Sequence, residues 1–154
     1  MAIESISPWL VTEKTMIKNL CKLAFVLALI VVTLGALTRL MDAGLGCPDW
    51  PGCYGQVIPP EHGTEIDDAV VHGGKAWMEM IHRYAASALG LIILIIAFKI
   101  QSDKTVSNNA RWLSRFLLLL VIVQGLFGMW TVTLKLLPQI VTLHLLGGFA
   151  VLSL

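Results

Sequence analysis

Glu79 and His82 stand three residues apart in WMEMIHRYAASALGL (77–91), so on a helix they share one face. Arg83 follows directly. The rest of that stretch reads as a membrane helix, where ionisable groups are expensive; they face a bundle interior and mark function. Ala85, Ala86, Ser87, Ala88 and Gly90 come next, small side chains that leave room beside His82 for something broad and flat. A second histidine, His144, lies six residues after Pro138 and is followed by Gly147 and Gly148 at i+3 and i+4. A carboxyl offers proton transfer, and a pair of imidazoles offers metal ligation.

The elements that must position these groups follow from composition. The 154 residues are 56% hydrophobic and 14% charged, with a mean hydropathy of +0.79, too apolar for an ordinary soluble domain. Segments 23–38, 77–98, 116–134 and 136–154 carry that signal. A span needs ~20 mainly apolar residues, and Lys22 and Arg39 extend the first run by snorkelling. Backbone cannot stay unpaired in lipid, so the expected fold class is all-α: a polytopic membrane protein with a four-helix transmembrane bundle over 23–154. Residues 1–22 form a polar cytoplasmic lead-in with Trp9 as an interface anchor. Gly125 and Gly128 of helix three offer a close-packing face to a neighbouring helix.

Lys14, Lys18 and Lys22 precede helix one, and Lys99, Lys104, Arg111 and Arg115 lie between helices two and three. The positive-inside rule places both chain ends and that second loop on the cytoplasmic side of the cell (inner) membrane. Loop 41–76, with Lys75 against Asp42, Asp49, Glu61, Glu65, Asp67 and Asp68, is then outside. The N-terminus lacks a signal-peptide pattern, so helix one reads as retained. A net charge of +1 without a basic block argues against a nucleic-acid partner.

At 36 residues the outer loop is longer than a connection requires, which suggests a lid or binding element over the mouth of the bundle. It opens with DAGLGCPDWPGCYG, whose glycines and prolines demand tight, irregular turns. Cys47 and Cys53 enclose five residues, and outside the cell a disulfide is the default. The rival is a zinc site, which needs two further ligands, and only His62 and His72 are nearby. Both of those histidines read as solvent-exposed. They lie in an acidic second half, 56–75, which has no apolar periodicity and is compatible with disorder. Cys21 reads as a free structural thiol. Arg39, at the outer end of helix one, is either a snorkelling side chain or one held for an anion such as a carboxylate.

Helices two and four run the same way, and both histidines lie roughly 7 to 9 Å below the outer edge at ~1.5 Å per residue. Two imidazoles at matched depth, each with small residues one turn further in, are the arrangement expected for axial ligands of a haem iron. Copper or zinc would need extra ligands at that depth, and a histidine in a membrane helix can also simply bond its neighbours. Glu79 has two readings: a carboxyl that moves protons near an iron site, or the i+4 partner of Arg83.

Taken in order, GALTRLMDAGLGCPDWPGCYG, WMEMIHRYAAS and GMWTVTLKLLPQIVTLHLLGG resemble the haem A synthase family, membrane enzymes that convert haem O to haem A. The likeness runs from about Gly35 to Leu154. It implies half of an eight-helix fold, the N-terminal of two similar four-helix halves, with truncation expected ahead of a half-size form that dimerises. It further implies that His82 and His144 are the axial pair for substrate haem, that Glu79 takes part in the chemistry, and that Cys47 and Cys53 match an outer-loop pair of many bacterial members. Arg39 and Arg83 are further candidates for binding the cofactor. The implied reaction is successive oxidation of a haem methyl to a formyl group, with electrons passing through a haem B in the other half. Implied partners are haem O, membrane lipid, haem O synthase, an electron donor, and a C-terminal half or second copy. Two other classes stay open: a bis-histidine, cytochrome b-like electron carrier, and a structural or assembly subunit whose histidines only pack.

Overall fold

The computed structural model describes residues 8–66 and 69–154, with side chains from residue 13; the Trp9 side chain, Asp67 and Asp68 lie outside the described residues. Among these residues are four helices: α1 Pro8–Leu40, α2 Gly73–Ser102, α3 Asn108–Thr133 and α4 Pro138–Ser153. The first three are long and apolar enough to cross a membrane, whereas α4 has 16 residues. The fold is all-α and polytopic, as the hydropathy pattern requires.

α1 begins earlier than the apolar run. Proline presets the helical φ at a first turn, and neither glycine nor proline interrupts residues 9–34, so the expected lead-in is continuous with the span from residue 8 on. Its 33 residues reach about 50 Å, well beyond a hydrocarbon core of ~30 Å.

The connections close tightly. Between α2 and α3, the Asp103 carboxylate accepts from the Thr105 N–H at 2.8 Å and from its hydroxyl at 2.7 Å, which holds that carboxyl below its ordinary range. Ser107 then caps α3 by accepting from the Ala110 N–H at 3.4 Å. Between α3 and α4, Lys135 and Leu136 take left-handed φ of 49° and 59°, and the Leu136 N–H donates to the Thr131 carbonyl at 2.8 Å. Leu136 packs on Gly44 of the long loop, where an added Cβ would come within 3.1 Å of it. That contact puts the loop and the α3–α4 turn at one end of the bundle.

α1 packs on α2, α2 on α3, α3 on α4, and α4 returns to α1. The two histidine-bearing helices, α2 and α4, are therefore diagonal, with α1 and α3 between them. One core cluster gathers Ala28, Leu89 and Ile93 with Val31, Leu117, Leu118 and Val121. A second joins Cys47, Cys53, Ala76 and Met80 with Tyr54. His82 falls between them along α2. The outer surface is apolar, with Phe25, Leu91, Phe98 and Leu119 all exposed, as a lipid-facing wall should be.

The second half of the loop is not structureless. β1 Glu65–Ile66 pairs antiparallel with β2 Ala69–Val70, and Val71 is fully buried. The small residues also divide differently from the expectation. Gly125 faces open space, while Gly128 receives the His144 ring. Along α2, Ser87 and Ala88 are exposed and Gly90 meets Val121, since a run of that length turns right round the helix.

Candidate functional site

Cys47 and Cys53 are joined in a disulfide, and neither has any exposed surface. Their sulfurs are bonded to each other, so the rival zinc reading loses its thiolates. From this hub the loop reaches into the bundle. The Cys47 N–H donates to Glu79 Oε2 at 2.9 Å, and Arg83 Nη2 donates to Glu79 Oε1. Arg83 Nη1 fans out to the carbonyls of Asp49 at 3.0 Å, Pro51 at 3.3 Å and Gly52. Asp49 in turn shapes that arc, its carboxylate accepting from the Tyr54 N–H at 2.6 Å and the Gly55 N–H at 2.8 Å. One residue further along α2, the Tyr84 hydroxyl donates to the Val57 carbonyl.

The Glu79 and Arg83 side chains are 5% and 12% exposed, so this is a buried ion pair with the carboxylate also held by backbone. Of the two readings of Glu79, the pairing with Arg83 is present. It does not remove the other, since a held carboxylate is also an aimed one. Arg83 lies within the pair and the loop. Arg39 is exposed at the end of α1.

The structure brings His82 and His144 together from α2 and α4, with ring centres 6.4 Å apart and planes at 86°. Each ring lies on a glycine of the helix beside it. A Cβ on Gly35 of α1 would come within 3.0 Å of the His82 Cε1, and one on Gly128 of α3 within 3.5 Å of the His144 Cε1. The His82 ring also lies near the Val31 backbone, and the His144 ring near that of Gln124. In both rings Nδ1 is buried without a hydrogen-bond partner among the described residues.

These features fit a metal held between the two imidazoles. Bonds of about 2 Å to one ion, plus about 1 Å from nitrogen to ring centre, separate two ligating rings by about 6 Å. A buried imidazole nitrogen with no partner among the described residues is free to bind a metal. Gly35, Val31 and Gln124 escaped the sequence reading. The signal was a shared spacing, Val31 to Gly35 and Gln124 to Gly128, each ending in a glycine inside an apolar helix.

His62 and His72 stand apart from this centre, exposed in the long loop with ring centres 6.3 Å apart. His62 Nδ1 accepts from the Gly73 N–H at 3.3 Å. Cys21 is free and exposed.

A heme A synthase of Shewanella oneidensis is 46% identical over 142 residues, covering 88% of this chain and 42% of that protein. Heme A synthases of Alkalihalophilus pseudofirmus and Shouchella clausii are 32% and 30% identical, over 82% and 81% of this chain and 39% and 38% of theirs. This chain thus spans about two fifths of the length of these curated relatives. No solved structure matches it. Residues 18–154 match the COX15-CtaA family of cytochrome oxidase assembly proteins, and the chain belongs to that family.

Proposed function

We propose that this chain is the haem-holding four-helix unit of a haem A synthase, in which a methyl group of haem O is oxidised to a formyl group. The observation that carries the reading is the His82–His144 pair at 6.4 Å, each ring with a buried nitrogen that has no partner among the described residues. Relatives named heme A synthase over most of this chain's length support the substrate. The distribution of lysines and the Cys47–Cys53 disulfide support an inner-membrane location with the N-terminus cytoplasmic and loop 41–76 outside.

Bound haem supplies redox chemistry at iron. The chain supplies the rest. His82 and His144 hold the group from diagonal helices, and Gly35 and Gly128 let their rings come close to the neighbouring helix. Glu79, one turn before His82, takes and returns protons, with Arg83 and the Cys47 N–H fixing where its two oxygens stand. The disulfide-closed loop covers the outer end and keeps water out. Arg39 at the outer mouth offers a cation to a haem carboxylate. The electron donor, the haem B site and haem O synthase belong to the partners of this unit.

The test is Glu79→Gln, expressed with the C-terminal half of a synthase in cells lacking their own. The variant should retain the haem absorption of the parent and yield no formyl product in extracted haem. Product formed at the parental rate would sink the role of Glu79.

A further inference from the structure

The two sides of the site follow one pattern and break it at one residue. In α1, Gly35 lies under the His82 ring, and the backbone of Val31, four residues earlier, lies near that ring. In α3, Gly128 lies under the His144 ring, and the backbone of Gln124, again four residues earlier, lies near it. Where one side carries an isopropyl group, the other carries a carboxamide.

That carboxamide has been given a place. It lies across α4 on Gly147, and any Cβ at position 147 would overlap it. α4 thus omits a side chain where α3 sends an amide. The Gln124 Oε1 is buried and has no hydrogen-bond partner among the described residues. A buried amide oxygen left unpaired inside a membrane bundle is costly, and the cost is relieved by a donor from a ligand. Gln124 is nine residues inside the end of α3 and Gly147 nine past the start of α4, so both lie about 13 Å deep, a turn below His144 and away from Arg39.

We propose that the Gln124 amide oxygen accepts a hydrogen bond from the hydroxyl on the long side chain of haem O and so sets which way round the macrocycle sits. This role rests on the haem O reading above. Two matched imidazoles on matched glycines would hold a near-symmetric disc in either of two flipped orientations. Only one of them presents the correct methyl to Glu79. A single polar contact on the α3 side removes that degeneracy.

The experiment titrates the purified chain in detergent, by its Soret band, with haem O and with dehydrated haem O, in which an alkene replaces the hydroxyl of the same side chain. The parent should bind haem O about three- to tenfold more tightly, the worth of one neutral hydrogen bond. Gln124→Met should bind both forms equally, at the parent's affinity for the dehydrated form. Gly147→Ala, which keeps the amide but displaces it, should lose the preference too and decides the matter if the first variant does not fold. A preference that survives either substitution, or a parent without one, overturns the role of Gln124 while leaving the haem site standing. A parent that binds neither haem overturns both.

Discussion

Glu79 and Arg83 sit on adjacent turns of a membrane helix, buried together, and each is tolerable there only because of the other. Removing one member of such a pair strands the opposite charge and costs about 3–5 kcal/mol. Arg83→Gln should therefore destabilise the chain by about 3 kcal/mol in detergent melting, leaving Glu79 with backbone donors alone. Glu79→Gln should cost less, because an amide oxygen still accepts the Cys47 N–H and Arg83 keeps its loop carbonyls. The double variant should recover part of the loss, with a coupling of about 1–3 kcal/mol. Strictly additive losses would show that the two side chains do not act as a pair. Glu79, His82 and His144 stood out in the sequence because charge and imidazole are rare in apolar helices. Gln124 did not, because a lone amide in such a helix has no partner visible in sequence, and only the packing of α3 on α4 sets Gly147 opposite it.

The long loop acts as a single element. Its disulfide, its Asp49-centred turn and three of its carbonyls all converge on α2, so its first half is fastened to the helix that carries Glu79 and His82. The closed ring is short, and its direct contribution is about 2 kcal/mol. With Cys47 and Cys53 both replaced by serine, the four helices should persist while loop amides exchange with solvent faster than in the parent. Measured by hydrogen exchange, slow loop amides in that variant would mean the arginine fan suffices without the bridge. The cysteine spacing and the turn-forming residues made this half legible. The ribbon at 65–70 was hidden because two-residue strands leave no periodic trace, and the early start of α1 was hidden because hydropathy marks where a helix enters lipid rather than where it begins.

At the scale of the molecule, four apolar segments in the hydropathy pattern specified four helices. The ring order was not legible, since apolar faces in lipid look alike on every side and contacts are chosen by small residues rather than by an amphipathic stripe. The diagonal placement of α2 and α4 has a thermodynamic consequence. The two helices do not pack on each other and only their histidine rings approach across the bundle, so a ligand that grips both histidines draws on all four helices at once, the two spacers included. Its binding energy is then linked to the folding of the whole bundle instead of one hairpin. At a hundredfold excess over its dissociation constant, haem should stabilise the chain by about 2.7 kcal/mol. Helix loss followed by circular dichroism and loss of the Soret band should occur in one shared transition. Two separated transitions would show that the hairpins melt as independent units.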